Sequence, residues 1–498
     1  MKKITSTLFL LIIIVKFSLA QSGTLDPTFG SGGIFLSNGA PYGQPLGMAI
    51  QPDNKIVVLG NYSNFLMLRL NTDGSYDNSF GTGGQVLSPV AGSGWAVAIQ
   101  SDSNIVVAGF NNSTQASVVA RHLTNGNLDN TFGTSGKVVT KVGGDCSSKA
   151  VAIQSDGKIL AAGMTSTGGT DMMVLRYNTN GTLDSTFDND GIVTTALGFS
   201  YDYANSVSQQ PDGKIVVAGS AGNSTFDFAV VRYNSNGSLD STFGVNGKVA
   251  TDFNNSDDQG YGMKLQSDGK IVVAGTSSAN GNYAFAIARY NTDGTLDNNF
   301  GTNGKTITGA PGHNWYCNAV DIQQDGKIIA VGRSPFASAN EMFTTVRYDS
   351  TGILDNAFGT GGIVFTDLTS ADDYANGVAV QNDGQILVVG QARYQTYWQY
   401  AVVRFNGDMA GINDYGLQSN SFLISPNPAS DNFNITFNET LKSGIKNINI
   451  FDLTGRNVFQ QELTKNKSEN FRCNFPPGIY LVQISDGEKV FNQKLIIK

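Results

Sequence analysis

A ten-residue segment that recurs seven times constrains this chain more than any other feature. Its clearest copy, QSDGKIVVAG, begins at Gln266. Successive copies start 49, 54, 56, 56, 57 and 58 residues apart. A nearly constant period with strand-forming residues indicates a repeat architecture, in which each unit packs on its neighbours. The other copies begin at Gln51, Gln100, Gln154, Gln210, Gln323 and Gln381.

Each unit contains four short apolar stretches that we predict to be strands. In the fifth unit they are residues 247–253, 261–266, 269–275 and 282–291. Val, Ile, Thr and aromatic residues dominate these stretches, and Asp, Asn and Gly bound them, as expected for strands joined by turns. The Asp-Gly pair between the second and third stretches predicts a two-residue type I′ hairpin, which requires positive φ at both residues.

A second repeated segment, RYNxDGxLDxxFGxxG, follows the last of these strands. Naming the strand after FGxxG "d" and the next three "a, b, c", the chain reads d-a-b-c seven times from Gly33 to Asn406. Radially arranged four-stranded units bury both faces of every sheet, so residues 21–406 predict an all-β, seven-bladed β-propeller. The spare first d strand would pair with the last unit and close the ring. A linear β-solenoid is the alternative, and it would need capping units and shorter coils.

Each unit also repeats one arginine on strand c and one aspartate in the LDxxFG segment. Because arginine presents a planar fork to a carboxylate, we predict structural ion pairs, with a ring of anion-binding arginines as the alternative. The arginines are Arg69, Arg121, Arg176, Arg232, Arg289, Arg347 and Arg404, and the aspartates are Asp26, Asp77, Asp129, Asp184, Asp240, Asp297 and Asp355.

Composition excludes several classes of function. The net charge of −8 and pI near 4.9 argue against a nucleic-acid groove. Two histidines and three scattered cysteines give no metal-ligand spacing and no disulfide framework, so no metal and no cofactor are expected. We expect Cys146 and Cys317 to be reduced, because they lie three units apart.

The first twenty residues have the layout of a secretory signal peptide. Lys2 and Lys3 precede an apolar run, residues 8–15, that is too short to span a bilayer. Cleavage is expected near Ala20. The mature protein is therefore predicted to be exported and not membrane-spanning, with a membrane anchor as the alternative.

The d-a and b-c loops differ from unit to unit, and variable loops on a rigid scaffold often carry function. Aromatic rings beside polar side chains suit a sugar, whose apolar face stacks while its hydroxyls form hydrogen bonds. The alternative is that Tyr203, Tyr261 and Tyr374 only pack between blades. The candidate ligand-binding residues are Trp95, Tyr201, Tyr203, Asp257, Tyr261, His313, Trp315, Tyr316, Tyr374 and Trp398, and the same loops carry Tyr42, Tyr62, Phe336, Tyr394 and Tyr397.

No catalytic residue is predicted from these loops. The carboxylate pairs Asp257/Asp258 and Asp372/Asp373 are adjacent in sequence, and neighbouring side chains on an extended chain point apart. An enzyme would need two carboxylates, or His313, to converge at the mouth of the central channel, about 5–10 Å apart for glycoside chemistry.

The units resemble the delta-60 repeat family through QxDGKIVVAG, RYNxDGxLDxxFG and their period. This resemblance implies a bacterial surface or secreted propeller and no particular activity.

A different sequence follows the repeats. Residues 407–420 read as a linker, and residues 421–498 predict a small Ig-like β-sandwich. This segment resembles the type A C-terminal sorting domain of the Bacteroidetes type IX secretion system, with a generic adhesive sandwich as the alternative. The resemblance implies export through the Sec pathway, handling by the type IX machinery, and release or attachment at the outer cell surface. The residues that carry it are Pro426, Asn427, Pro428, Asp431, Gly455, Gly478, Tyr480 and the closing Lys494–Lys498.

The sequence as a whole predicts a secreted or cell-surface binding or structural protein, adhesive or glycan-binding, and not an enzyme. A glycan or a surface protein is the expected ligand. Two alternatives stay open: an extracellular propeller enzyme acting on polysaccharide, such as a lyase or glycosidase, and a scaffold with no pocket.

Overall fold

The structure is a computed structural model with two compact units, Met1–Met409 and Ala410–Lys498. The predicted signal peptide and nearly all of the linker lie outside the described residues. In the described part of the chain, no helix has the length and apolarity needed to cross a membrane. The described residues are 22–37, 43–61, 64–166, 168–278, 281–335, 340–395, 397–408, 422–425, 429–430, 432–437, 446–452, 456–463, 468–472, 475–485 and 490–497.

The first unit is built from strands. In chain order they are β1 Ile34–Leu36, β2 Gln44–Ile50, β3 Ile56–Asn61, β4 Asn64–Leu70, β5 Gln85–Ala91, β6 Ser93–Ile99, β7 Ile105–Asn111, β8 Ala116–His122, β9 Lys137–Thr140, β10 Cys146–Ile153, β11 Ile159–Ser166, β12 Thr170–Tyr177, β13 Ile192–Thr195, β14 Tyr201–Gln209, β15 Ile215–Gly222, β16 Phe226–Tyr233, β17 Lys248–Thr251, β18 Asp258–Leu265, β19 Ile271–Ser277, β20 Ala284–Tyr290, β21 Lys305–Thr308, β22 Tyr316–Ile322, β23 Ile328–Pro335, β24 Glu341–Tyr348, β25 Ile363–Thr366, β26 Asp373–Val380, β27 Ile386–Tyr394 and β28 Tyr397–Phe405.

These strands form antiparallel groups of four, which we call blades. Blades 1 to 6 are β2–β5, β6–β9, β10–β13, β14–β17, β18–β21 and β22–β25, and blade 7 is β26–β28 with β1. One parallel pairing, Thr170 with Tyr201, links blades 3 and 4. The first strands of neighbouring blades contact one another, and β2 contacts β26, so the ring is closed. The predicted all-β propeller class is confirmed.

The two ends of the first unit complete blade 7 together. Strand β1 pairs with β28, placing Ile34 opposite Val403. Upstream of β1, the amide of Gly23 donates to the carbonyl of Asn406 at 2.8 Å. The pairing predicted between the spare first strand and the last unit is therefore present.

The turn between the first two strands of a blade differs from the prediction. In blade 5 the Gly269 amide donates to the Gln266 carbonyl at 3.0 Å, and only Gly269, at φ +83°, has positive φ in this turn. This is a type I turn followed by a left-handed residue, the three-residue hairpin with a bulge. The predicted type I′ turn is wrong, because Asp268 keeps negative φ and its carboxylate accepts the Lys270 amide at 3.1 Å. Asn54 and Ser103 take the positive φ where glycine is missing.

The core lies between blades. Val216 and Val230 of blade 4 pack in one buried cluster with Ile271 and Val273 of blade 5. Burying both faces of each sheet in this way is what a four-stranded unit cannot achieve alone. Fully buried tyrosines at the ends of third strands add hydrogen bonds to a threonine of the preceding blade: Tyr177 to Thr140, Tyr233 to Thr195, Tyr290 to Thr251 and Tyr348 to Thr308.

The second unit has two sheets. One sheet has the order β29-β30-β33 and the other β32-β31-β34-β35. Phe433 and Ile435 of the first sheet share a core with Ile448, Ile450 and Val482 of the second. The predicted sandwich is thus confirmed as part of the all-β class. Its strands are β29 Phe422–Ser425, β30 Asn432–Phe437, β31 Lys446–Phe451, β32 Asn457–Leu463, β33 Ser468–Arg472, β34 Gly478–Ser485 and β35 Val490–Ile497.

Candidate functional site

The repeated arginines lie in buried networks that join blades. In blade 4, Arg232 Nε donates to Asp240 Oδ2 at 2.7 Å, and Nη1 donates to the carbonyl of Thr292 in blade 5 at 2.5 Å. The guanidinium also lies 4.5 Å from the centre of the Phe243 ring. The same ion pair joins Arg69 to Asp77, Arg121 to Asp129, Arg176 to Asp184, Arg289 to Asp297, Arg347 to Asp355 and Arg404 to Asp26.

The electrostatics of these pairs favour a structural role. Burial alone would raise the pKa of Asp240, but hydrogen bonds from Thr242 and Lys214 and the charge of Arg232 hold that pKa below its usual range. Blade 6 departs from the pattern, because Arg347 donates to the Ser22 hydroxyl at 2.7 Å and pairs with Asp408 at 2.8 Å. Because every one of these guanidinium groups already holds a carboxylate, anion binding by the ring is disfavoured.

The variable connections meet at one end of the ring. The b-c loop residue Ser278 donates its amide to the carbonyl of the d-a loop residue Asp257 at 2.9 Å, and Arg393 donates in the same way to Asp372 at 3.0 Å. We call the end formed by the d-a and b-c loops the loop face.

The first strand of every blade, which is the innermost strand of the ring, has a β-bulge near the loop face. The extra residue always lies five positions before the repeated glutamine, and a bulge re-aims the side chain of that residue. Asn205 reaches across to the Gly260 carbonyl of the next blade at 2.8 Å, and Asn318 to that of Ala375 at 2.8 Å. Sequence reasoning missed this feature. The bulge residues are Leu46, Trp95, Lys149, Asn205, Tyr261, Asn318 and Asn376.

One bulge residue, Lys149, lies between aromatic rings of both neighbouring blades. Its ammonium is 5.8 Å from the ring centre of Trp95 and 5.5 Å from that of Tyr203. Trp95 stacks on Phe110 at 6.2 Å, and Tyr203 packs against Phe226 at 5.9 Å. Lys149 is solvent-exposed, yet burial among its neighbours lowers the pKa of its ammonium. We call Trp95, Lys149 and Tyr203 the lysine patch.

A second group of rings crosses blades 5 to 7. Tyr283 packs on Tyr316 at 5.2 Å, and the Arg333 guanidinium lies 4.6 Å from the Tyr316 ring and 4.3 Å from the Tyr374 ring. Tyr374 in turn packs on Trp398 at 4.9 Å. All five side chains are half-buried, so each keeps part of its surface open to solvent. We call these five residues the aromatic ladder.

The ladder continues into a cleft in blade 7. Arg393 lies 6.0 Å from the Trp398 ring and lines a cleft of about 740 Å³ together with Tyr394, Tyr397 and Gln399. The other loop aromatics named from the sequence, Tyr42, Tyr62 and Phe336, lie outside the described residues.

The acidic loop residues serve two structural purposes. Asp257 accepts the amide of Phe226 at 3.0 Å, and Asp372 accepts the amide of Glu341 at 3.1 Å, so each fixes the start of a third strand. The next residue along the chain in each case, Asp258 or Asp373, is fully buried. The adjacent carboxylates therefore do not converge on one site.

The buried aspartates hold the d-a loops. Asp258 accepts the Phe253 amide at 2.6 Å, and Asp373 accepts the Leu368 amide at 2.7 Å. Asp202 occupies the equivalent position in blade 4 and accepts the Leu197 amide at 2.7 Å. Burial, the largest effect, raises the pKa of both Asp258 and Asp373 to about 6.

Carboxylate oxygens of Asp227, Asp252 and Asp258 lie within 4.8 Å of one another, which is the spacing of a possible cation site. The most buried member, Asp258, already accepts hydrogen bonds from Phe253 and Ser256. The cluster therefore reads as part of the loop framework, and the expectation of no bound metal stays a prediction.

Trp315 corrects one of the predicted ligand contacts. Its side chain is buried and packs edge-on against Phe285 and Phe365, at 6.2 and 5.5 Å. It lies eight residues before the repeated glutamine, the same position as Cys146 and Asp202. The side chains at this position are buried in the propeller. A ligand on the surface cannot reach it, so Trp315 belongs to the core.

Five of the remaining sequence-predicted residues belong to the lysine patch or the aromatic ladder, and Tyr201, Tyr261 and His313 belong to neither. Trp95 and Tyr203 form the lysine patch, and Tyr316, Tyr374 and Trp398 form most of the ladder. Between the two groups, the hydroxyl of Tyr261 donates to Gln259 at 2.5 Å, and burial raises the pKa of Tyr261 to about 12. Tyr201 and His313 are exposed and join neither group.

The cysteines and the predicted sorting residues fall outside the loop face. Cys146 and Cys317 are free and buried. In the second unit the Tyr480 hydroxyl donates to the Pro476 carbonyl at 2.8 Å, and Gly478 begins β34. Pro426, Asn427, Pro428, Asp431 and Gly455 lie outside the described residues.

The closed ring of blades and the separate sandwich define the chain as a β-propeller protein with a C-terminal β-sandwich. A family model described as a domain of unknown function (DUF5122) β-propeller matches residues 51–80, 100–132, 154–187, 210–243, 266–300 and 381–408. A model described as a secretion system C-terminal sorting domain matches residues 423–498. The chain therefore carries DUF5122 β-propeller repeats and ends in a type IX sorting domain, which makes it a secreted or outer-surface protein handled by the type IX machinery.

Solved structures similar to this chain include a protein of unknown function from Bacteroides caccae, with 14% identity, 65% of this chain and 97% of that chain covered, and a TM-score of 0.35. The β-propeller domain of the Trilobed protease from Pyrococcus furiosus shares 11% identity over 74% of this chain and 97% of that chain, with a TM-score of 0.38. A PL25 ulvan lyase shares 12% identity over 84% of this chain and 92% of that chain, with a TM-score of 0.33. No curated protein matches the sequence.

Proposed function

We propose that this protein is a secreted or cell-surface binding protein, adhesive in role, whose loop face holds a glycan. The aromatic ladder carries the proposal. Four half-buried rings and one arginine form a continuous row across three blades, with adjacent ring centres 4.9 to 5.2 Å apart where rings meet directly.

The chemistry of the ladder suits a chain of sugar rings. The apolar face of a sugar stacks on an aromatic side chain, and its hydroxyls need polar partners nearby. Glu341 lies 3.3 Å from Arg333 and supplies a carboxylate beside the ladder, and Asp372 lies 3.7 Å from Arg393 at its far end. A row of rings longer than one sugar favours an extended polysaccharide over a single small molecule.

The scaffold supports the same reading. Each ladder residue lies in or directly beside a strand of the closed ring, so it is held in place before the ligand arrives, which lowers the entropic cost of binding. The type IX sorting domain takes the protein to the cell exterior, where extracellular polysaccharides are met.

A polysaccharide-active enzyme is the second candidate, favoured by the pKa of about 6 for Asp258 beside Asp227 and Asp252. However, Asp258 is fully buried and accepts backbone hydrogen bonds, and Asp373 repeats both the position and the raised pKa. A feature repeated in two blades is better explained by loop architecture than by one active site. We therefore place binding ahead of catalysis.

The proposal is tested by measuring how the full protein binds soluble glycans that score on a broad array. We expect Trp398→Ala to weaken binding at least tenfold, about 1.4 kcal/mol, since it removes one stacking surface. Trp398→Phe should retain most of the affinity because a ring remains. Ile353→Ala is the matched control, since Ile353 is 63% exposed and lies in a c-d connection, away from the loop face.

Three results would contradict the proposal. Absence of binding to every glycan would favour a scaffold or a protein ligand. Equal weakening by the Trp398 and Ile353 variants would move the binding surface off the ladder. Release of reducing ends from a bound polymer, lost in Asp258→Asn without loss of folding, would favour the enzyme instead.

A further inference from the structure

We infer that the glycan is acidic, and that the lysine patch is the subsite that holds its carboxylate or sulfate group. This inference rests on the proposed function and names the chemical class of its ligand. It is carried by the position of Lys149 at a bulge of the innermost strand, between rings of the two neighbouring blades.

The ammonium of Lys149 has no hydrogen-bond or ion-pair partner among the residues that the structure describes. The ring centres of Trp95 and Tyr203 lie 5.8 and 5.5 Å from it. The bulge turns this side chain out of the regular strand pattern, so the ammonium stays accessible from the loop face. A cation beside aromatic rings that is left without a counter-charge is a site at which an anion can form a charge-assisted contact.

Three other cations of the loop face, Arg333, Arg393 and Lys141, already have a carboxylate partner. Arg333 lies 3.3 Å from the Glu341 carboxylate, and Arg393 lies 3.7 Å from that of Asp372. Lys141, in the d-a loop that leads into the strand of Lys149, pairs with Asp145 at 3.6 Å. In a chain with a net charge of −8, an uncompensated cation is not a general property of the surface.

The surroundings of Lys149 also select the kind of anion. The Trp95 and Tyr203 rings present apolar faces beside the ammonium and offer few hydrogen bonds. An ammonium is a point charge that accepts a carboxylate or a sulfate in many orientations, unlike the bidentate fork of arginine. A charged sugar ring meets both conditions, because the ring contacts the aromatic faces and its acidic group reaches the ammonium.

The test compares acidic and neutral polymers with the full protein. Polygalacturonate supplies carboxylates, dextran sulfate supplies sulfates, and galactan and dextran are the neutral counterparts. Lys149→Met removes the charge and keeps the length of the side chain, and Lys149→Gln is a second variant in case the first does not fold. Lys141→Met is the control, because it removes the same unit of charge from an exposed lysine in the neighbouring loop.

We expect at least one acidic polymer to bind ten times more tightly than its neutral counterpart at low salt, since charge-assisted contacts are worth this much. Lys149→Met should abolish the preference, Lys141→Met should keep it, and added salt should weaken it. Whichever polymer binds more tightly identifies the carboxylate or the sulfate as the group recognised.

Two outcomes would overturn the inference and are distinguishable from each other. If the Lys149 and Lys141 variants behave alike while Trp398→Ala still loses glycan binding, the acidic subsite is wrong and the proposed function stands. If no polymer binds to the wild-type protein, both proposals fail together.

Discussion

Replacing the repeated arginine in two different blades tests how much the buried ion pair contributes to the stability of the propeller. The two blades differ in whether the aspartate keeps a second cation. In blade 4, Asp240 is held by Arg232 and also by Lys214, whose ammonium is 2.9 Å away. In blade 2, Arg121 is the one cation paired with Asp129 among the described residues, because asparagine occupies the lysine position at residue 104. The substitutions Arg232→Met and Arg121→Met therefore leave two different aspartates, one with a cation and one without.

The structure sets the size of the expected losses. Each variant loses a buried pair at 2.7 Å and a hydrogen bond to a carbonyl of the next blade, from Arg232 to Thr292 and from Arg121 to Thr179, both at 2.5 Å. Removing one partner of a buried pair costs roughly 3–5 kcal/mol. We place Arg232→Met near the lower limit, at about 3 kcal/mol, and Arg121→Met near the upper limit, at about 5 kcal/mol, since it leaves a buried carboxylate without a counter-charge.

Lowering the pH below about 4 should reduce the loss of unfolding free energy that Arg121→Met causes relative to the wild type. In the wild-type protein the pKa of Asp129 is lowered: burial raises it, but hydrogen bonds from Thr131 and Arg121 and the charge of Arg121 outweigh that effect. Its contribution to stability is present above the unfolded pKa of about 3.9 and lost as pH falls towards the folded pKa. Without Arg121 this contribution is absent, so the variant has less to lose at low pH.

Urea unfolding followed by tryptophan fluorescence gives the measurement. All three tryptophans, Trp95, Trp315 and Trp398, lie in the first unit, so the signal reports the propeller and not the sorting domain. Equal losses in the two variants, or losses below 1 kcal/mol in both, would refute the view that the repeated pairs hold the blades together. A loss of stability in Arg121→Met that is the same at pH 7 and at about pH 3 would refute the electrostatic explanation.

Three further predictions concern folding. Asp258→Asn should gain stability relative to the wild type as pH rises from 4 to 7, by about 3 kcal/mol at most. The reason is that the folded pKa of Asp258, about 6, exceeds the unfolded value, so the stability of the wild type is full below pH 4 and falls as pH rises through 6. Equal shifts of the urea midpoint at pH 4 and pH 7 would contradict this prediction. Deleting residues 22–36 should expose the edge of blade 7 and cause association detectable by size-exclusion chromatography, whereas a monomer with unchanged stability would count against closure by β1. In a Cys473→Ser background, a thiol reagent should label Cys146 and Cys317 only in denaturant, since both are buried and burial raises the pKa of Cys317, and labelling of the native protein within minutes would contradict this.

Much of the fold was readable from local patterns. The period gave the repeat, turn residues bounded the strands, and the constant offset between Arg232 and Asp240 indicated a pair eight residues apart. These features depend on neighbours along the chain, so one sequence carries them. The turn type was misjudged because Asp-Gly suits more than one hairpin, and only the backbone shows that Asp268 keeps negative φ.

The candidate site was only partly readable. Trp315 was predicted to contact the ligand because it lies in a variable d-a loop rich in aromatic residues, although alignment on the repeated glutamine puts it in the same buried position as Cys146 and Asp202. The bulge residues range from Leu46 to Lys149, so their residue types do not reveal a bulge, although all of them lie five positions before the repeated glutamine.

The sequence by itself determined the all-β repeat, the closure by the spare strand, the buried ion pairs and the sorting domain, because each depends on residue types at fixed separations. The tertiary structure decided which loop residues meet. Lys149 lies 54 residues from both Trp95 and Tyr203, and they come together only because the ring brings successive blades side by side and the bulges turn selected side chains outward. Distances across a closed ring are set by how the blades pack, and that information lies in the contacts between units.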